Sequence, residues 1–276
     1  MDIITTIPEL RQRLSHAGRI AFVPTMGNLH DGHVSLVRMA REASDCVVVS
    51  IFVNPLQFGV NEDFANYPRT FGEDCEKLQA AGADVVFTPG DSELYPEPQS
   101  IQVEPPPIAD ALCGAHRPGH FKGVCTVVAK LFNLVQPAVA FFGSKDFQQL
   151  FILRVMVRQL NIPVELVAGE TIRESDGLAM SSRNGYLNPS QRLEAPRLFR
   201  ALQQVVLAVR QGRRDFDAIE AQTAQYLTQL GWIVDYIAIR SAVTLMPPDE
   251  SEQQFVVLGA ARLEKTRLID NIEFAL

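Results

Sequence analysis

The sequence predicts an α/β fold: a parallel sheet built first, then a smaller α+β region. Three observations carry that expectation. Apolar runs at 20–23, 46–53 and 139–142 read as buried parallel strands, the second of them apolar on both faces, and 83–87 continues the series. Segments with apolar residues at helical spacing lie between them, the alternation that builds parallel sheets. Beyond Asn184 the order changes to two helices followed by three strands, which sets a boundary near Asp176–Arg183. The expected domains are residues 1–175 and 176–276.

Composition narrows the classes. The chain has 276 residues, enough for one large domain or two modest ones, with 47% hydrophobic and 21% charged residues, as in ordinary globular proteins. A net charge of −7 argues against a nucleic-acid partner, which needs a basic face. The longest apolar run, Cys46–Val53, is far too short to span a bilayer, so no membrane partner is expected. The first residues, Met1-Asp2-Ile3-Ile4-Thr5, lack a basic segment followed by an apolar core, so no signal peptide is expected. Cys46, Cys75, Cys113 and Cys125 form no Cys-x-x-Cys pair, which fits reduced, mostly buried thiols in a cytoplasmic protein.

The elements follow in order. Thr6-Ile7-Pro8-Glu9 has the pattern of a capping box with proline early in the helix, which then ends at Gly18. Arg19–Val23 is the next strand, followed by a helix with Val34, Leu36, Val37 and Ala40 on one face, and then by the strand Cys46–Val53. Thr70-Phe71-Gly72-Glu73 is a second capping-box pattern, for a helix to about Ala81 that Gly82 ends. Ala83–Phe87 is a strand. Residues 89–118 carry seven prolines and read as a surface excursion with a short strand at Ile101–Val103. A helix over Val124–Val135, the strand Val139–Phe142, a helix to about Leu160 and the strand Val164–Val167 complete the first part. Asn188-Pro189-Ser190-Gln191 caps a long helix to about Arg210. A second helix spans Asp215–Leu230, and Trp232–Ile239, Phe255–Ala261 and Arg267–Glu273 are strands.

Pro24-Thr25-Met26-Gly27-Asn28-Leu29-His30-Asp31-Gly32-His33 connects a strand to a helix through a glycine turn with two histidines. Free N–H groups and the helix dipole favour an anion there. His30 and His33, three apart, can face the same anion. The residues alone leave solvated or core-satisfied histidines equally open. Zinc fits less well, because a third ligand of the right type is missing nearby.

Further polar groups sit at strand ends. Asn54 and Gln57 follow the strand ending at Val53, where ligands of open α/β sheets bind, although Asn54-Pro55 also reads as a simple turn. Glu73 and Asp74 complement a helix dipole more readily than they bind a metal. Arg117-Pro118-Gly119-His120-Phe121-Lys122-Gly123 places cations before a helix, a pattern also met on ordinary surfaces. Gly143-Ser144-Lys145-Asp146-Phe147-Gln148-Gln149 offers a lysine suited to phosphate. The polar stretch 170–184 fits a linker or a phosphate loop equally well, its Met180-Ser181-Ser182-Arg183 supplying hydroxyls and a guanidinium.

Taken together, Pro-Thr-Met-Gly-x-Leu-His-x-Gly-His, Ile51–Phe58, Gly143–Gln149 and Met180–Asn184 resemble the pantothenate synthetase (pantoate–β-alanine ligase) family of the nucleotidylyl-transferase superfamily. The resemblance covers essentially the whole chain. It implies a Rossmann-like N-terminal domain with a smaller C-terminal α+β lid, a homodimer, and ATP with Mg²⁺. It also implies a two-step reaction. Pantoate carboxylate attacks the α-phosphorus of ATP, giving pantoyl adenylate and pyrophosphate. The amine of β-alanine then attacks the acyl carbon, giving pantothenate and AMP.

The same resemblance implies residue roles. His33 is the catalytic acid, with His30 and Lys145 as further donors to the phosphates. Met26, Gly27, Asn28, Leu29, Asp31 and Gly32 belong to the ATP turn. Gly143, Ser144 and Asp146 join Lys145 in an ATP segment. Ile172, Met180, Ser181, Ser182 and Arg183 cover adenine and phosphate. Gln57 and Gln149 hold pantoate, with Asn54 and Met26 in the same pocket. No protein ligand to Mg²⁺ is implied. Ser144 departs from the Glu or Gln usual there. Three alternatives fit the same residues. One is a nucleotidylyltransferase acting on another small acceptor. The others are an RNA-binding relative of class I aminoacyl-tRNA synthetases and a nucleotide sensor without catalysis.

Overall fold

The computed structural model describes residues 1–59 and 62–276. Its elements in chain order begin with β1 (Asp2–Ile4), α1 (Ile7–Leu14), β2 (Ile20–Thr25), α2 (Asp31–Ala43), β3 (Cys46–Ile51), α3 (Phe71–Ala81) and β4 (Val85–Phe87). There follow α4 (Asp91–Leu94), α5 (Cys113–His116), α6 (His120–Val135), β5 (Val139–Gly143), α7 (Phe147–Gln159) and β6 (Glu165–Gly169). The last are α8 (Pro189–Glu194), α9 (Arg197–Arg210), α10 (Phe216–Gln229), β7 (Ile233–Ser241), β8 (Gln254–Leu263) and β9 (Thr266–Ala275). Two compact units result. The first holds Met1–Ala109, Arg117–Ser144 and Gln149–Glu170, and the second holds Asp110–His116, Lys145–Gln148 and Thr171–Leu276.

The first unit is Rossmann-like. Its six strands are all parallel, in the order β1-β4-β3-β2-β5-β6. Ala21, Phe22 and Val23 on β2 and Val47, Val48 and Val49 on β3 are fully buried, because both faces of the sheet are covered. Val34, Leu36, Val37 and Ala40 form the buried stripe of α2 and pack against Ala21, Val23, Val49 and Val139. Chain order reverses between β2 and β5, which pair at Ala21–Val139 and Phe22–Ala140. That is the switch point of an open α/β sheet, where ligands bind beyond the carboxyl ends of the strands.

The second unit has an antiparallel sheet, β7-β8-β9. Leu198, Leu202, Val205 and Val209 of α9 share a core with Phe255, Val257 and Ala261 of β8. A Cβ on Gly259 would lie 3.1 Å from both Leu198 and Leu202, so glycine permits that close contact.

Several elements differ from expectation. β1 is an edge strand of three residues, too short to show periodicity. Ile101–Val103 forms no strand, since Val103 gives its N–H to Thr126 Oγ1 at 3.0 Å instead of to a ladder. α6 begins at His120 rather than Val124, entered from Gly119 at φ +80°. Thr70 makes no capping bond to backbone; its hydroxyl donates to Asp74 Oδ1 at 3.2 Å. The helix expected from Asn188 to Arg210 is two, α8 and α9, separated at Ala195–Pro196, because Pro196 has no N–H for the ladder. Among the described residues no helix is long and apolar enough to cross a membrane.

Candidate active site

The turn after β2 is built by backbone geometry and one buried carboxylate. Gly27 and Asn28 both have positive φ, +82° and +50°. Asp74, from the first turn of α3, accepts the N–H of Asn28 at 2.9 Å and of Leu29 at 2.8 Å. A Cβ on Gly27 would lie 3.1 Å from Asp74 Oδ2 and from Ile51 Cγ2. Lys77, one helical turn further, donates to Leu29 O at 2.7 Å. Asp74 thus shapes the histidine turn itself.

His30 and His33 form a reciprocal cap on α2. Gly32 N donates to His30 Nδ1 at 3.1 Å, and His30 N donates to His33 Nδ1 at 3.3 Å. The two rings lie 4.1 Å apart. These are the places that Ser/Thr and Glu/Gln take in an ordinary capping box. With Nδ1 of each ring accepting, the neutral imidazoles carry their proton on Nε2. Both histidines are half-buried, which removes the reading of them as freely solvated side chains. Asp31 is exposed at the first helical position, while Gly32 is half-buried.

Gln57 is held from several sides. Its Nε2 donates to Met26 Sδ at 2.9 Å, and its Oε1 accepts from Asn54 Nδ2 at 3.2 Å. Asn54 is fully buried and spends its amide on protein: Nδ2 also reaches Gly123 O, and Oδ1 takes Leu56 N–H and the Tyr95 hydroxyl, the latter at 2.8 Å. Burial pushes the Tyr95 phenol well above its ordinary range, with Asp91 adding to the effect, so it stays a donor. His120 Nδ1 lies 2.8 Å from Gln57 O, and Arg117 Nη1 lies 3.0 Å from His120 Nε2. Arginine has no acceptor, so Nδ1 is the nitrogen that donates to Gln57 O. Arg117 also forks onto Glu62 at 2.6 and 2.7 Å. The cations of the 117–123 segment are therefore paired with carboxylates, Lys122 with Glu104. A cavity of about 430 Å³ opens at the carboxyl ends of β2, β3 and β4 beside Met26, Gly27, Val53, Arg69, Asp74 and Thr88.

Gly143 closes β5 opposite Gly169 of β6, and Ser144–Asp146 make a single 3₁₀ turn. Among the described residues the Lys145 ammonium has no ion-pair partner, whereas its carbonyl accepts from Asn271 Nδ2 at 2.8 Å. Asp146 is exposed, and Gln149 is half-buried on α7. In the second unit the stretch 172–183 is an ordered turn. Met180 N donates to Ile172 O at 2.9 Å, Arg173 bridges Ala179, and Ser181 Oγ caps a 3₁₀ turn by accepting Arg183 N–H at 3.2 Å. Ser182 follows in that turn.

The structure brings Met26, Asn54 and Gln57 into one network and His30 with His33 into another. Asp74, Tyr95, His120 and Asn271 emerge as supports that motif reasoning missed. Among the described residues no group of three His, Cys, Asp or Glu side chains is arranged to hold a metal.

Comparisons with known proteins agree with one another. The family described as pantoate-beta-alanine ligase matches residues 2–273. The chain is 64% identical over 275 residues to the pantothenate synthetase of Methylobacillus flagellatus, covering 100% of this chain and 99% of that one. It is 56% identical over 271 residues to that of Nitrosomonas europaea, covering 98% of each. Among solved structures, the pantothenate synthetase of Thermus thermophilus matches with a TM-score of 0.93 at 46% identity, covering 99% of both chains. The pantoate-beta-alanine ligase of Francisella tularensis, complexed with beta-gamma ATP and beta-alanine, matches with a TM-score of 0.83 at 32% identity, covering 99% of this chain and 97% of that one.

Proposed function

The chain belongs to the pantoate-beta-alanine ligase family, and from that premise we propose that it joins pantoate to β-alanine through a pantoyl adenylate. A carboxylate is a poor acyl donor. Attack of pantoate on the α-phosphorus of Mg-ATP expels pyrophosphate and converts the carboxylate into a mixed anhydride. The amine of β-alanine then forms the amide, and AMP leaves.

One observation carries the reading most directly: the reciprocal cap that fixes Nδ1 of His30 and of His33 as acceptors. The proton each ring offers is then on Nε2. Donors held in advance against the charge that builds on phosphate oxygens do most of the work in such transfers. His33 acts as the acid, and His30, Lys145 and Arg183 add donors to the same phosphates. Met26, Gly27, Asn28, Leu29, Asp31 and Gly32 line the nucleotide turn. Gly143, Ser144, Asp146, Ile172, Met180, Ser181 and Ser182 contribute the remaining nucleotide contacts.

Gln57 and Gln149 take the pantoate hydroxyls and carboxylate, since a neutral amide both donates and accepts. Asn54 orients Gln57, in keeping with its buried, committed amide. Mg²⁺ arrives with ATP and keeps phosphate and water ligands. Residues 176–276 serve as a lid that keeps water from the adenylate. The enzyme works as a homodimer in the cytoplasm.

The test is AMP release from Mg-ATP and pantoate, with and without β-alanine, beside His33→Ala. Release that depends on β-alanine and is lost in the variant supports the ligase and the histidine together. Pantoate-dependent pyrophosphate exchange without AMP would keep adenylation and move the amine. Neither activity in folded protein overturns the proposal.

A further inference from the structure

Two adjacent residues of β9 reach outside their own sheet. Asn271, which is buried, donates its amide to Lys145 O at 2.8 Å, across 126 positions of sequence. Asp270, also buried, takes both arms of Arg173, Nη1 at 2.7 Å and Nη2 at 2.9 Å. A bidentate guanidinium–carboxylate pair fixes direction as well as distance. Asp270 Oδ1 further accepts Asn271 N–H at 2.8 Å, and Arg173 Nη2 lies 3.5 Å from Asn271 O.

Arg173 is the anchor of the 172–183 turn. It donates to Gly177 O at 3.1 Å and lies 3.6 Å from the centroid of the Phe199 ring on α9. Gly177 has φ +96°, and a Cβ there would lie 3.0 Å from the same ring. Ile172 and Met180, on either side of the Arg173–Ala179 bridge, are tied by the Met180 N–H. The other end of the lysine segment has its own tie. Gln148 Nε2 donates to Ala111 O at 2.8 Å and Gln148 Oε1 accepts Cys113 N–H at 3.0 Å.

We propose that Asp270 and Asn271 are positioning residues that hold Lys145–Gln148 and Ile172–Arg183 as one pre-arranged clamp for a nucleotide polyphosphate. Neither residue touches the phosphates. Asn271 acts through the Lys145 backbone and Asp270 through Arg173. The inference rests on the proposed contacts of Lys145 and Arg183 with ATP. A lysine is a flexible point charge, so fixing its carbonyl narrows where the ammonium can go. Holding both cationic segments on one strand means the order they need is present before nucleotide arrives.

Asn271→Asp keeps the shape and replaces the donor by an acceptor facing Lys145 O. Steady-state kinetics of the full chain give the test, with the wild type measured first. An inactive wild type counts against the proposed function, and the clamp is then decided by native-state hydrogen exchange of the wild type. With an active wild type, folded Asn271→Asp should lose about 10²-fold in kcat, the order seen when a reacting group is displaced by an ångström, and KM for ATP should rise. KM for pantoate should stay at the wild-type value, a split that general destabilisation does not produce. Wild-type kcat and KM for ATP in the folded variant overturn the proposal. If the variant does not fold, native-state hydrogen exchange of the wild type decides. Amides of 145–148 and 172–183 that open together with one denaturant dependence support the clamp, and separate openings overturn it.

Discussion

Asp74 Oδ1 accepts the backbone N–H of Leu29 at 2.8 Å, joining the first turn of α3 to the histidine turn 45 residues earlier. The second oxygen takes Asn28 N–H, so one carboxylate satisfies two successive donors of a turn that has no ladder of its own. Asp74→Ala strips both. A buried donor left without a partner costs roughly 1–3 kcal/mol, so the variant should lose roughly 2–6 kcal/mol. Urea unfolding measures this loss. Turnover should fall with it, because His30 directly follows Leu29. Unchanged stability would show that water or another group replaces the carboxylate.

Gly27 and Gly119 separate two causes of glycine dependence. Both have φ near +80°, but a Cβ on Gly119 meets nothing within 4 Å, whereas one on Gly27 meets Asp74 and Ile51 at 3.1 Å. Gly119→Ala should cost only the left-handed backbone penalty, about 1–2 kcal/mol. Gly27→Ala adds crowding against the carboxylate that shapes the turn, so it should be the more destabilising of the pair. It alone should also lower turnover. Equal unfolding midpoints for the two variants would refute the crowding.

The strands of the first sheet were legible because buried parallel strands are continuous apolar runs, as at Cys46–Ile51. The strand–turn–helix around His30 was legible for the same reason, with glycine marking the turn. Asp74 was not. Its partners are backbone N–H groups, which every residue but proline carries, so nothing in the local sequence separates it from an ordinary acid in a first helical turn. Asp270 and Asn271 look like polar positions of an edge strand until the fold brings Arg173 and the Lys145 carbonyl to them. Pro196 was visible, yet the apolar spacing on both sides read as one helix.

Tyr95 tests the relay behind Gln57. Its hydroxyl donates to Asn54 Oδ1 at 2.8 Å, and Asn54 Nδ2 donates to Gln57 Oε1. Tyr95→Phe removes one neutral hydrogen bond, about 1 kcal/mol, and leaves Leu56 N–H on the same oxygen. If Gln57 holds pantoate, KM for pantoate should rise about fivefold, the equivalent of that energy, with KM for ATP unchanged. A change confined to ATP would place the relay elsewhere.

Cys125 gives a pH prediction with a defined sign. Its thiol sits fully buried on α6, and burial pushes it up to about 12. In the unfolded chain a thiol titrates near 8.5. Between those values the unfolded state has lost a proton that the folded state keeps. Stability from this group is therefore complete below about pH 8.5 and lost as pH rises toward 12, at about 1.4 kcal/mol per unit. Across the interval the loss is on the order of 5 kcal/mol. Cys125→Ala removes the titration at the cost of a small cavity, so it should be less stable than the parent at pH 7 but lose less between pH 9 and pH 11. Unfolding free energies of the two proteins that run parallel through that range would show that the thiol does not carry the alkaline loss.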